Sequence, residues 1–120
     1  MTAKSGVELI NDAKRRIREV SVADVRAMQA HGEPVVYLDV REQNEWNLGR
    51  LPQATFLPRG VLETTIEQRV PLDARVVVYC AGGNRSALAA DTMQQMGYQQ
   101  VSSMAGGFRA WVDAGGQVDG

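Results

Sequence analysis

The sequence predicts an α/β domain built on a parallel sheet covered on both faces. Three observations predict it. Apolar runs are short and continuous rather than alternating, as in strands buried on both sides. Helical patterns fall between those runs, as crossover connections require. No linker, repeat or low-complexity stretch divides the 120 residues, a length that suits one core. Hydrophobic residues make up 44% and charged residues 22%, the balance of a soluble globular chain. With a formal net charge of −1, nothing global draws the chain to nucleic acid or to an anionic membrane.

Residues 7–18 place Val7, Ile10, Ala13 or Lys14, and Ile17 on one side, an amphipathic helix expected to cap the core. Arg15, Arg16 and Arg18 complement the dipole of its last turns. Ser21 and Asp24 form a capping box for a second helix ending near Gly32. His31, beside that glycine, is expected in solvent. After Pro34, residues 35–40 read as a β-branched buried strand. Residues 42–46 suggest a brief helical turn and 49–52 a loop. Residues 55–57 form a short strand, and 61–68 a helix ended by Pro71. Residues 75–79, RVVVY, are the clearest strand. A strong helix over 86–96 stops at Gly97. One more strand covers 101–104, and a last helix covers 108–114 after Gly106-Gly107.

Function points to the end of the clearest strand, because open parallel sheets bind ligands beyond the carboxyl ends of their strands. Cys80, the one cysteine, lies there. A single cysteine excludes an internal disulfide and a multi-thiolate metal site. Unpaired cysteines are commonly small buried hydrophobes, and burial alone would end the matter. Burial, however, does not call for the residues that come after Cys80: Ala81, Gly82, Gly83, Asn84, then Arg85 and Ser86 opening a helix. Glycines permit a turn whose amides point inward. The helix N-terminus and the arginine add positive potential at the same centre, and such surroundings favour thiolates. The N-terminal stretch has no long apolar run, so neither a signal peptide nor a membrane span is expected. The expected location is a reducing cytoplasm, which suits an unpaired thiol.

Residues 80–86, CAGGNRS, resemble the C-x-x-G-x-R-S active-site loop of the rhodanese sulfurtransferases. Three further segments agree in the same order. Leu38-Asp39-Val40-Arg41-Glu42 with Glu45-Trp46 is similar to the family's DVR-x-x-x-E-[WFY] motif. Gly49-Arg50-Leu51-Pro52-Gln53-Ala54, leading to Leu57-Pro58, resembles G-H-I-P-G-A…I-P. Gly106-Gly107-Phe108-Arg109-Ala110-Trp111 with Ala114-Gly115 resembles G-G-x-x-A-W…A-G. Arg50 and Gln53 depart from the histidine and glycine common in the second segment.

The resemblance implies a three-layer α/β/α fold around a mostly parallel sheet of about five strands. It runs from about residue 20 to the C-terminus, so residues 1–19 are expected to be a helical extension and 20–120 the domain. It further implies that Cys80 takes sulfane sulfur from a donor such as thiosulfate, forms a persulfide, and passes the sulfur to cyanide or a thiol. Ala81, Gly82, Gly83, Asn84, Arg85 and Ser86 would cradle that sulfur, with no cofactor and no metal. A protein persulfide is a second donor class, and a carrier that turns over thiosulfate poorly is a second reading. A phosphatase-like reading is disfavoured by spacing: four residues separate Cys80 from Arg85, where related phosphatases have five. Among supporting residues, Asp39 is expected to brace the loop through Arg85. Arg41 sits beside the site, and Arg59 lines the entrance or is an ordinary loop arginine. Trp46 and Trp111 read as core anchors, and Glu42 and Glu45 as helix-turn residues.

Overall fold

The computed structural model describes residues 2–120. Its elements are α1 (Gly6–Arg16), β1 (Arg18–Val20), α2 (Val22–Ala30), β2 (Val36–Asp39), α3 (Gln43–Leu48), β3 (Ala54–Phe56), α4 (Leu62–Arg69), β4 (Arg75–Tyr79), α5 (Asn84–Gln95), β5 (Gln100–Met104) and α6 (Gly107–Asp113). A 3-10 turn, Arg59–Val61, leads into α4. The five strands form one all-parallel sheet in the order β1-β5-β4-β2-β3.

Helices start where local chemistry starts them. Ser5 and Glu8 make a reciprocal capping box at α1, and Ser21 and Asp24 do the same at α2. Side chains of β4 alternate between two cores. Val76 and Val78, with Cys80 beyond them, pack with Leu62 and Ile66 of α4 and Ala89, Ala90 and Met93 of α5. Val77 and Tyr79 pack with Val25 and Met28 of α2 and Trp111 of α6. The sheet is thus the middle of three layers, as expected for an α/β/α fold. Trp111 lies in the second core, whereas Trp46 is only half-buried and packs its ring at a tilt against Phe56.

Two differences from the sequence reading concern the N-terminus. Arg18, expected to close the first helix, instead opens an edge strand that pairs Arg18, Glu19 and Val20 with Ser102, Ser103 and Met104. A charged three-residue segment carries no strand pattern of its own, and only its β5 neighbour defines it. Val7 stays 67% exposed while Ala13 is buried, so α1 contacts the domain through its later turns. There Arg16 donates from Nε and Nη2 to the Asp91 carboxylate of α5 at 2.9 and 2.8 Å. The boundary expected after residue 19 falls inside β1.

Strand order positions the site. From β2 the chain continues to β3 on one side, and from β4 to β5 on the other. The crevice between the carboxyl ends of β2 and β4 is therefore the topological switch point. Asp39 ends β2 there, and Cys80 comes directly after β4.

Candidate active site

Cys80 is 1% exposed, at the base of a loop that turns directly into α5. Its Sγ receives the Gly83 N–H at 3.1 Å and the Ser86 N–H at 3.3 Å. The Ser86 hydroxyl lies 3.4 Å from the sulfur and 2.8 Å from the Ser103 hydroxyl of β5. Two converging N–H donors at a helix start suit a negatively charged sulfur far better than a neutral one. Gly83 makes this turn possible with φ at +102°, a conformation that side chains rarely adopt. It also sets the helix start at Asn84, two residues before the position expected from sequence.

The loop is held from below by the turn that starts α6. Phe108 N–H donates to the Cys80 carbonyl at 2.8 Å, and Arg109 N–H to the Ala81 carbonyl at 3.1 Å. This approach requires Gly107, where an added Cβ would sit 2.5 Å from the Cys80 oxygen. Ala81 is half-buried, and Gly82 and Asn84 form an exposed rim.

Two arginines expected at the site have separate partners. Arg85 forms a bidentate pair with Glu45 of α3, at 2.7 and 3.0 Å. The Glu45 carboxylate also accepts the Glu42 N–H at 3.1 Å, so α3 holds the loop's arginine from a fixed base. The Arg85 hydrogen bonds hold the Glu45 carboxyl at about 2, well below its ordinary 4.5, despite some desolvation. Reciprocally, the Glu45 contact raises the Arg85 guanidinium.

Asp39 does not reach Arg85, which corrects the expected brace. Its buried carboxylate binds Arg41 through Nε and Nη2 and accepts the Tyr79 hydroxyl at 2.7 Å. Arg41 Nη2 also donates to the Gly49 carbonyl at 2.7 Å, and its guanidinium lies 4.4 Å from the Phe108 ring centre. Burial opposes the Arg41 charge, but the hydrogen bonds and charge of Asp39 outweigh it and the net direction is upward. Burial, then the Asp39 charge, pushes the Tyr79 phenol far above its ordinary value. Arg59 has partners of its own: its guanidinium meets Glu63 at 2.9 Å and Thr92 Oγ1 at 3.3 Å. Among the described residues, no group of three His, Cys, Asp or Glu side chains is placed to hold a metal ion.

A family model for the Rhodanese-like domain matches residues 21–114. The chain belongs to this family. A sulfurtransferase from Allochromatium vinosum is 31% identical over 99 residues, covering 82% of this chain and 92% of that protein. Among solved structures, a Rhodopseudomonas palustris protein of unknown function, described as a possible tyrosine phosphatase, superposes with a TM-score of 0.89. It is 36% identical, covering 99% of this chain and 97% of that one. A rhodanese-related protein from Thermoplasma volcanium gives a TM-score of 0.76 at 28% identity, covering 85% and 97%.

The rhodanese-like loop is thus assembled from more residues than its own segment shows. Glu45 carries a signal, the acidic position of the motif beginning at Asp39, but its spacing on a short helix reads as a surface turn. Ser103 and Arg109 carry none: a serine in a strand and an exposed arginine are ordinary until the fold places them beside the loop. Gln53, where the family commonly has glycine, takes φ of 66°. Arg50, at the position of the common histidine, lies over the Trp46 ring at 4.5 Å.

Proposed function

We propose that this rhodanese-like domain is a sulfurtransferase that carries sulfane sulfur as a persulfide on Cys80. One observation carries the reading: the only sulfur nucleophile of the chain accepts two backbone N–H donors at the start of α5. The Cys80 thiolate attacks the outer sulfur of thiosulfate. The S–S bond of the donor breaks, its electron pair leaves with sulfite, and a Cys80 persulfide anion remains. Cyanide, or an acceptor thiolate, then attacks the terminal sulfur and releases the Cys80 thiolate, with thiocyanate or a new persulfide as product. In the intermediate the charge moves out by one sulfur, and the loop amides of residues 81–86 would receive it, those of Gly83 and Ser86 already donating to Sγ. Ser86, backed by Ser103, supplies a hydroxyl beside the sulfur in either state. The chemistry calls for no cofactor or metal.

Cys80→Ser keeps the loop's size and removes the nucleophile. Thiosulfate-to-cyanide transfer should fall by about 10³-fold or more, and mass spectrometry of the wild type should show a gain of about 32 Da on Cys80. A serine variant that retains the activity overturns the proposal. Sulfur uptake from a protein persulfide but not from thiosulfate would favour the carrier reading.

The Rhodopseudomonas palustris relative raises phosphate-ester hydrolysis as a second reading. Two features oppose it here. Four residues separate Cys80 from Arg85, a tighter turn than the five-residue loops of related phosphatases. The Arg85 guanidinium is also engaged by Glu45 rather than open to a phosphate. Hydrolysis of p-nitrophenyl phosphate that disappears in Cys80→Ser would support that reading instead. Among the described residues, no helix is long and apolar enough to cross a membrane, and the unpaired thiol fits a reducing compartment such as the cytoplasm.

A further inference from the structure

The cations around the loop are almost all neutralised: Arg85 by Glu45, Arg41 by Asp39 and Arg59 by Glu63. Arg109 differs. It is exposed, and no carboxylate lies within ion-pair distance of it among the described residues. Yet its guanidinium lies against the rim of the loop. A methyl group built on Gly82 would come within 3.3 Å of Nη1 and 3.9 Å of Cζ. Gly82 has no side chain to hold the guanidinium off, and Arg109 N–H ties the same residue to the Ala81 carbonyl at 3.1 Å. An unpaired five-donor fork at the rim of the loop that holds Cys80 suits an oxyanion.

We propose that Arg109 receives the oxyanion end of the sulfur donor, and so biases the site toward donors whose sulfane sulfur is bonded to a sulfonyl-type group. This rests on the persulfide reading above. When the Cys80 thiolate takes the outer sulfur of thiosulfate, the oxygens stay on the departing sulfite throughout. A cation at those oxygens therefore binds the donor in the ground state and in the transition state alike. Such uniform binding lowers KM and leaves kcat largely alone.

The test uses Arg109→Gln and Arg109→Lys with two donors: thiosulfate, and cysteamine persulfide, which has no oxyanion. In the glutamine variant KM for thiosulfate should rise about 10-fold, the scale of one charge-assisted hydrogen bond, with kcat changed less than about 3-fold. The ratio of kcat/KM for thiosulfate to that for cysteamine persulfide should fall about 10-fold, and lysine should restore part of it. Equal losses with both donors would assign Arg109 to loop structure alone and overturn the proposal, as would an unchanged KM for thiosulfate. Mass spectrometry separates this failure from the deeper one. Sulfur on wild-type Cys80 with an unchanged donor ratio overturns only the role of Arg109. No sulfur on Cys80 with either donor overturns the persulfide reading and this inference together.

Discussion

Two carboxylate–arginine pairs stand at the same end of the sheet, built from the same chemistry in different solvent. Asp39 and Arg41 have side chains 0% and 4% exposed, while Glu45 and Arg85 are 28% and 36% exposed. The buried pair is surrounded by satisfied groups: the Tyr79 hydroxyl, the Gly49 carbonyl and the Phe108 ring. It joins β2 to β4 and to the loop after α3, so it fixes the end of the sheet on which Cys80 rests. The half-exposed pair joins α3 to the loop itself. Burial therefore separates a pair that holds the platform from one that orients what stands on it.

The largest effect should come from making the same chemical change in both places. Asp39→Asn leaves the Arg41 cation buried beside an amide, and removing one partner of a buried pair costs about 3–5 kcal/mol. Glu45→Gln should cost about 1 kcal/mol, because solvent can take over part of what Arg85 loses. Urea unfolding midpoints of the two variants measure the difference. Equal costs would erase the distinction between platform and clamp. Should Asp39→Asn fail to fold, Asp39→Asn with Arg41→Met removes both charges and should recover part of the loss.

The clamp also has a pH signature of its own. Glu45 is held at about 2 in the folded chain against an ordinary 4.5. A depressed carboxyl means that the unfolded chain takes up the proton first as pH falls. The pair's stabilisation is thus complete above about pH 4.5 and lost as pH drops toward 2. The shift alone corresponds to ~3 kcal/mol, and with Arg85 about a third exposed, screening reduces this to on the order of 1 kcal/mol. The stability difference between wild type and Glu45→Gln should be flat from about pH 5 to 7 and close on acidification. A gap that persists at pH 2 would assign the loss to packing rather than charge. At neutral pH the same variant should lower sulfur transfer by about 3- to 10-fold, through a less fixed loop.

Legibility in the sequence obeys the same division between local and distant causes. Strand β4, the capping box at Ser21 and the stop at Gly97 are decided within a few residues, and all three are legible. The box at Ser5 is just as local, but it precedes the apolar periodicity from which α1 is read and so escapes that reading. The place of Cys80 at a strand's carboxyl end is legible because strand and loop adjoin. Strand β1 is not, because Arg18-Glu19-Val20 becomes a strand only through Ser102, Ser103 and Met104. The partner of Arg85 is open to misassignment because two acidic residues, Asp39 and Glu45, lie close in sequence. Only the course of α3 decides which one faces the loop. Arg109 is invisible as more than a motif filler, since nothing local to it signals that Gly82 leaves room for its guanidinium.

The smallest expected effect extends the comparison to a third pair. Arg59 and Glu63 have side chains 26% and 52% exposed and are spaced i,i+4, and such pairs contribute about 0.3–0.5 kcal/mol. Arg59→Gln should therefore move the unfolding midpoint barely beyond error. Its catalytic effect separates two positions for the same side chain. Held by Glu63 and Thr92, the Arg59 charge is already paired, and kcat/KM for thiosulfate should stay within about 2-fold of wild type. A fall of about 5-fold or more, relieved by raising salt, would instead return Arg59 to the entrance as a steering charge. The ion pair with Glu63 would then be its resting position rather than its working one.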